Sequence, residues 1–306
     1  MSTHISILKE KICESLSEPF LSLPKNSEPY WLIDCTLGGG GHTEALLSHL
    51  PPQHKILGID QDLQAFEEAS KKFQTEIKNQ RLKLVHAKIS ELPPLIKDLP
   101  IIGVLADLGF SSDQLDDANR GFSFQKEGPL DMRMDTSRGE TCSHFLSHVS
   151  LEELTKILFE YGEEKYSRRI ALSVVRARDE DKTPKTTSEL TALIVNAVPP
   201  YARHGRIHPA TRSFQALRIY LNQELHELDC LLNHVIISLK TGGRAAIISF
   251  HSLEDRKVKW AFRNPELGFH ILTKKPVEAE EEEIKKNPRA RSAKLRIAER
   301  IAEKIK

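Results

Sequence analysis

The chain has 306 residues, of which 28% are charged and 39% hydrophobic, and this apolar content supports a folded core rather than disorder throughout. Lysine and arginine total 44 against 43 acidic residues, so the net charge of +1 does not by itself indicate a nucleic-acid partner. The apolar runs are shorter than the ~20 residues that span a bilayer, and no signal-peptide pattern is present. Four scattered cysteines without a C-x-x-C pair argue against a disulfide scaffold and against a classical structural zinc site, so we expect a soluble cytoplasmic protein.

Strand-like and helix-like segments alternate over the first third of the chain. Helical spacing of apolar residues over 5–16 predicts a first helix. Strands are then predicted at 31–36, 55–60, 82–86 and 101–107, with helices from residue 43 and over 62–78. This alternation is typical of βαβ units and predicts an α/β, Rossmann-like fold with a mostly parallel sheet.

The pattern changes after residue 107. Residues 108–140 are rich in turns, 150–198 have helical periodicity without a strand, and a long helix is predicted from about 211 to 240. Strand character returns at 244–250 and near 269–272. We therefore predict one α/β domain, residues 1–115 and 213–306, that is interrupted by an all-helical domain, residues 116–212.

Four consecutive glycines, residues 38–41, follow the first of these strands. Such a loop lets a ligand approach the backbone closely, and Asp60 ends the next strand, where an acid can accept hydrogen bonds from ribose hydroxyls. Both NAD and S-adenosylmethionine (SAM) suit this geometry, and a merely tight turn is the structural alternative. The dinucleotide-binding pattern G-x-G-x-x-G or A requires a small residue at position 43, where this chain has Thr43. The Gly-Lys-Ser/Thr of a P-loop is also absent from this loop.

Two polar residues beside this loop each have two open roles. Asp34 either braces the loop through its backbone amides or faces the cofactor. His42 is either a residue of the helix cap or a catalyst.

Asp107 ends the fourth predicted strand, at the carboxyl edge where α/β proteins bind ligands. Enzymes that methylate exocyclic amines of bases commonly carry Asp or Asn, two prolines and an aromatic residue here. Asp107 and Phe110 match the outer positions, whereas Leu108 and Gly109 replace the prolines. A carboxylate can hold the amine hydrogens and an aromatic ring can stack on a flipped base, so Asp107 and Phe110 are the catalytic candidates. A structural Asp107 that caps the turn with Ser111 is the alternative.

Longer strings of the sequence resemble the RsmH (MraW) family, which uses SAM to methylate N4 of a cytidine in the decoding region of bacterial 16S rRNA. The resemblance is carried by residues 107–116, 120–124 and 128–135, and it extends to 4–8, 161–171, 208–225, 249–256 and 287–296. It implies a class I SAM-dependent methyltransferase fold, SAM as cofactor, and 16S rRNA or the small ribosomal subunit as partner.

The same resemblance implies which residues bind the cofactor. They are Gly40, Gly41, His42, Asp60, Ile89, Asp107 and Gln114. The chain departs from the family pattern where Lys88-Ile89 replaces Asn-Phe, Phe110 replaces valine and Asp113 replaces proline. The change at Ile89 removes an aromatic cover for the adenine.

Basic residues of the central segment are the expected RNA contacts, because the arginine fork binds phosphate in two places. They are Arg120, Arg133, Arg206, Arg212 and Arg218. Local salt bridges to Asp116, Asp131 and Asp135 are the alternative for Arg120 and Arg133.

Four residues near these motifs have simpler expected roles. His251 and Asp255 either close a pocket for the target base or cap the next helix. Met132 and Met134 are expected to pack in a core.

Direct in-line transfer of the methyl group to the cytosine N4 is the predicted reaction, and it needs no covalent nucleophile. The sequence shows no evident metal site, although a role for Mg²⁺ through the RNA stays open. An NAD-dependent oxidoreductase would explain the glycines and Asp60 but not the 107–135 string. A non-catalytic ribosome-assembly factor that binds rRNA is the other alternative. A homodimer is compatible with the sequence, although no heptad pattern predicts it.

Overall fold

A computed structural model describes residues 6–203, 205 and 207–301. The chain divides into two compact units, which we call the sheet unit (residues 1–109 and 225–306) and the helical unit (residues 110–224). The predicted insertion, 116–212, falls within the helical unit, which is wider at both ends. None of the helices in the described ranges has the length and apolar character that crossing a membrane requires.

The sheet unit contains a seven-stranded sheet. Its strands are β1 (Trp31–Asp34), β2 (Lys55–Asp60), β3 (Leu82–His86), β4 (Ile101–Asp107), β5 (Leu239–Ser249), β6 (Phe269–Ile271) and β7 (Lys294–Arg300). They lie in the order β3-β2-β1-β4-β5-β7-β6, and β7 is antiparallel to both of its neighbours while the first five strands are parallel. The predicted Rossmann-like sheet is confirmed.

The described helices follow in chain order. They are α1 (Lys9–Leu21), α2 (Gly41–His49), α3 (Leu63–Lys72), α4 (Gln74–Lys78), α5 (Pro93–Ile96), α6 (Ser112–Asp116), α7 (Cys142–His148), α8 (Leu151–Gly162), α9 (Ser167–Asp179), α10 (Thr187–Ala197), α11 (Ala210–Leu221), α12 (Glu224–Cys230), α13 (Ser252–Arg263) and α14 (Glu281–Lys286). Helices α6 to α11 lie within the helical unit.

Both faces of the sheet are buried, as expected for parallel strands with helices on either side. Successive strand residues serve opposite faces: Leu32 belongs to an apolar cluster that includes Phe20 of α1, whereas Ile33 belongs to a second cluster that includes Phe262 of α13. Apolar packing on both faces therefore holds the strands, and with them the residues at their carboxyl ends.

The helical unit has its own core, which includes Phe145, Ile170 and Phe214. Met132 and Met134 are buried in it, as their sequence context predicts. Among the described residues of this unit no strand is found, and the only β-type pairing is an isolated bridge between Pro129 and Thr186.

The predicted continuous helix over 211–240 is wrong. Helix α11 ends at Leu221, and Gln223 has a left-handed backbone with φ 54° before α12 begins. A π-helical turn at Leu231–Val235 and a 3-10 turn follow, and β5 begins at Leu239, earlier than the predicted residue 244. Strand β7 was not predicted from the sequence.

Candidate functional site

Three aspartates end neighbouring parallel strands of the sheet unit. Asp60 ends β2, Asp34 ends β1 and Asp107 ends β4, and these strands are adjacent in the order β2-β1-β4. Because parallel strands point the same way, all three carboxyl groups lie along one edge of the sheet. The structure thus brings together the acidic residues that the sequence suggested for ligand binding.

Asp34 braces the loop that follows β1. Its side chain is 1% exposed, and it accepts hydrogen bonds from the Thr43 hydroxyl (2.7 Å) and from the Thr36 backbone N–H (3.2 Å). Burial raises the pKa of the Asp34 carboxyl. Of its two predicted roles, bracing is therefore the one that the observed hydrogen bonds support.

The glycine loop combines left-handed backbone with open space. Gly38 and Gly40 have φ of 49° and 70°, and Gly40 is the N-cap of α2. A Cβ at Gly38 or Gly39 would meet no atom within 4 Å, whereas a Cβ at Gly40 would collide with the Phe73 ring and one at Gly41 with the Ser6 hydroxyl. The first two glycines border free space, whereas a Cβ on either of the last two would require a neighbouring side chain to move.

Asp60 ties this loop to the end of β2. One of its carboxylate oxygens accepts the Gly38 backbone N–H at 2.7 Å, and the other accepts the Asp62 backbone N–H at 2.8 Å. Burial raises its pKa to about 6, while these two hydrogen bonds favour the ionised form. At neutral pH the group is an anion, and each oxygen keeps a lone pair that can accept a further hydrogen bond.

His42 and Asp107 form a polar pair beside the loop, in which His42 is buried and Asp107 is partly buried. His42 lies in the first turn of α2 with 6% of its surface exposed, and its Nε2 is 3.8 Å from Asp107 Oδ2. Within the described part of the chain, neither ring nitrogen of His42 has a hydrogen-bond partner, and nor does Asp107 Oδ1. Buried polar atoms are rarely left unpaired, so these atoms mark a place where a ligand can supply the missing partners.

Thr36 and Thr43 hold residues of the candidate site in place, a role that was not predicted from the sequence. The Asp107 backbone N–H donates to Thr36 Oγ1 at 2.6 Å, and Thr43 holds Asp34. Thr36 therefore joins the ends of β1 and β4. In the sequence, only the Asp-x-Thr spacing of Asp34 and Thr36 points to this role, and that spacing is too common to predict a hydrogen bond between β1 and β4.

The other predicted cofactor residues have structural contacts. Ile89 is buried in the second apolar cluster of the sheet unit, in a 3-10 turn after β3. In the helical unit, Gln114 shares a capping box with Ser111, whose backbone N–H donates to Gln114 Oε1 at 2.8 Å. Ser111 therefore caps α6. The cofactor contacts of Ile89 and Gln114 stay predictions.

Phe110 lies in a cation–aromatic cluster of the helical unit. Its ring is parallel to that of Phe122, with centroids 5.4 Å apart, and the Arg218 guanidinium is 4.6 Å from its centroid. Arg218 also binds Glu224 through two hydrogen bonds of 2.7 and 2.9 Å. Stacking of Phe110 on a target base stays a prediction.

The remaining predicted RNA contacts differ in their surroundings. Arg120 is 8% exposed and donates to the backbone carbonyls of Arg133 and Met134, while the Arg133 guanidinium forms two hydrogen bonds with the Asp131 carboxylate. These contacts favour structural roles for both residues. Arg212 forms no ion pair with any residue that the structure describes, and Arg206 lies outside the described residues.

His251 and Asp255 are engaged within the sheet unit. His251 is the N-cap of α13 and accepts the Glu254 backbone N–H at 3.4 Å. Asp255 holds Arg296 of β7 through hydrogen bonds of 2.7 and 3.1 Å. Helix capping is thus the role that the structure shows for His251.

A family model described as the MraW methylase family matches residues 1–301. A ribosomal RNA small subunit methyltransferase H from Halothermothrix orenii is 45% identical over 289 residues, covering 88% of this chain and 92% of that protein. A protein with the same name from Synechococcus sp. RCC307 is 45% identical over 303 residues, covering 99% of this chain and 97% of that protein. A solved rRNA methylase from Streptococcus thermophilus has a TM-score of 0.40 at 12% identity over 96% of this chain and 94% of that one, which is too distant to support a functional argument.

Proposed function

Because the chain belongs to the MraW methylase family, we propose that it transfers a methyl group from SAM to the exocyclic N4 amine of a cytidine in the decoding region of 16S rRNA. The coarser activity, methylation of small-subunit rRNA, is that of its named relatives. The observation that carries the proposal is a group of three buried polar atoms at the strand edge beside the glycine loop: both ring nitrogens of His42 and Asp107 Oδ1, which have no hydrogen-bond partner among the described residues.

The residues at the strand edge fit SAM. Asp60 offers ionised oxygens to the ribose hydroxyls, and the free space at Gly38 and Gly39 lets a ligand approach the backbone. The unpartnered nitrogens of His42 suit the polar methionine end. SAM supplies a methyl group bound to a positively charged sulfur, so no residue has to activate the donor.

Asp107 is the residue that orients the target amine in this proposal. The lone pair of an exocyclic amine is delocalised into the base, so the nitrogen is a weak nucleophile that gains most from positioning. Asp107 Oδ1, which has no hydrogen-bond partner among the described residues, can accept an amine hydrogen and aim the nitrogen. With SAM bound, the N–C bond would form as the C–S bond breaks, with S-adenosylhomocysteine as the leaving group. The nitrogen would then give one proton to the Asp107 carboxylate or to water, which restores its neutral charge.

The helical unit, which contains the predicted insertion 116–212, is the proposed site of RNA recognition. Among the described arginines, Arg212 is the strongest candidate for a phosphate contact, because no described acid forms an ion pair with it.

A cytoplasmic location follows from the proposed rRNA substrate, and the homodimer stays a prediction. Membership of a methylase family favours methyl transfer over both the oxidoreductase and the non-catalytic assembly factor.

The Asp107→Ala variant tests the proposed orientation. Loss of the oxygen acceptor should lower kcat for methyl transfer to small ribosomal subunits by about 100-fold, a magnitude found for single positioned polar groups. SAM affinity, measured by calorimetry, should change much less. Asp107→Asn is the matched control, because its amide oxygen can still accept the amine hydrogen and should retain most of the lost rate.

Two results would contradict the role of Asp107. The first is an Asp107→Ala variant that is folded and transfers methyl groups at the wild-type rate. The second is a loss confined to SAM affinity, which would place Asp107 at the cofactor instead of the amine.

A further inference from the structure

Glu140, His144 and His148 bring three metal-ligand groups together on the surface of the helical unit. One carboxylate oxygen of Glu140, Oε2, lies 2.6 Å from His144 Nδ1 and 2.8 Å from His148 Nε2. The three donor atoms all lie within 4.8 Å of one another. The two imidazoles thus point at the same carboxylate oxygen from neighbouring turns of one helix.

The backbone that presents these groups is held by the core. His144 and His148 are four residues apart on α7, so they share a helix face, and the opposite face buries Cys142, Phe145 and Leu146. The Cys142 backbone N–H donates to Asp131 O at 2.7 Å, which fixes the start of the helix. The backbone of the two histidines is therefore held by a helix that packs on the core.

Ring contacts also restrict the two imidazoles. The His144 and His148 rings pack edge to face at 5.2 Å, and the His148 ring meets the Phe145 ring at 5.9 Å in the same manner. The side chains of Glu140, His144 and His148 remain 38%, 69% and 53% exposed, so a hydrated ion can reach them.

We propose that Glu140, His144 and His148 form a binding site for a divalent transition-metal ion, with Zn²⁺ as the probe that fits best. Two imidazole nitrogens and one carboxylate oxygen are the ligands that zinc and related ions prefer, whereas Mg²⁺ and Ca²⁺ prefer oxygen alone. Zinc–ligand bonds of about 2.1 Å place tetrahedral ligand atoms about 3.4 Å apart. Glu140 Oε2, now 2.6 and 2.8 Å from the two histidine nitrogens, would therefore move away from each by less than about 1 Å, which a rotation of its exposed side chain can supply.

Binding would tie the segment before α7 to the outer face of that helix. Glu140 lies just before the N-cap Thr141, whereas both histidines lie within the helix, so the ion would bridge two parts of the helical unit. Three protein ligands leave one coordination position for water. This site is separate from the methyl-transfer chemistry and does not depend on the proposed function.

The test is calorimetric titration of the full chain, freed of metal by a chelator and then dialysed, with ZnCl₂. We expect one high-affinity equivalent, and His148→Ala should weaken it by about 100-fold or more, since even the loss of an outer-shell partner costs 10- to 100-fold. His270→Ala, which removes an exposed histidine on β6, is the matched control and should bind zinc like the wild type.

A second readout separates binding from a folding defect. Zinc should raise the unfolding temperature of the wild-type chain and of His270→Ala, but not that of His148→Ala, because only ligands of the native state stabilise it. An absence of zinc binding in the wild type would overturn the proposal. Equal zinc affinity in the wild type and in His148→Ala would overturn it as well, because the ion would then be bound elsewhere.

Discussion

At the scale of single residues, Asp60 links burial to cofactor affinity. Its pKa is raised to about 6 by burial, so in the folded protein it takes up a proton as the pH falls through this value. A protonated carboxyl is a weaker acceptor for ribose hydroxyls than the anion. We therefore expect SAM affinity to be about tenfold weaker at pH 5 than at pH 7.5, since roughly a tenth of Asp60 would then be ionised.

The measurement is calorimetric titration with SAM across this pH range. Asp60→Asn should bind SAM more weakly than the wild type at pH 7.5, by about tenfold, because it loses a charged hydrogen-bond acceptor. Its affinity should then change little down to pH 5, since the titrating group is gone. An identical pH profile in the wild type and the variant would remove Asp60 from the ribose contact.

At the scale of elements, the turn from β1 into α2 depends on Gly40. Its positive φ and the nearby Phe73 ring both oppose a side chain. Gly40→Ala should therefore lower the free energy of unfolding by about 2 kcal/mol, as measured by denaturant titration. Gly39→Ala is the matched control, because its Cβ would meet no atom and its stability should match the wild type.

The same pair of variants also separates packing from ligand binding. Since Gly39 borders free space, Gly39→Ala should weaken SAM binding without loss of stability. Equal stability of the two variants would mean that the turn does not need a glycine at position 40.

Local patterns identified β1 to β4 well, because alternating apolar strands and amphipathic helices leave a clear signal in the sequence. Strand β7 was not predicted, because charged residues at its ends weaken the strand pattern in the sequence. Its antiparallel pairing with β5 and β6 also depends on contacts between distant segments. Its Arg296 is held by Asp255, a contact between distant residues that the sequence does not reveal. The end of α11 at Leu221 was not predicted, because the left-handed backbone at Gln223 does not interrupt the helical spacing of apolar residues in the sequence.

The site was predicted in outline for similar reasons. Strand-end aspartates and a glycine run are local features, so Asp60, Asp107 and the loop were recognised from the sequence. The roles of Thr36 and of the buried Arg120 depend on contacts between distant residues, which a single sequence does not reveal. Acids close in sequence gave Arg120 a structural alternative that Arg212 lacks, but the carbonyl groups that Arg120 contacts were not predicted.

At the scale of the whole molecule, a net charge of +1 means that RNA affinity must come from local basic groups. Arg212→Ala should weaken binding to small ribosomal subunits and reduce the slope of log affinity against log salt by about one unit, as expected for one lost phosphate contact. Lys78→Ala, which removes an exposed charge from α4 of the sheet unit, should leave the slope unchanged. An unaltered slope in Arg212→Ala would exclude this residue from the RNA contact.

The most direct measurement is methyl transfer from isotope-labelled SAM to small ribosomal subunits that lack this modification, with the product nucleoside identified by mass spectrometry. The account predicts label in N4-methylated cytidine from the decoding region. Label in another nucleoside, or no label from folded protein that binds SAM, would contradict it.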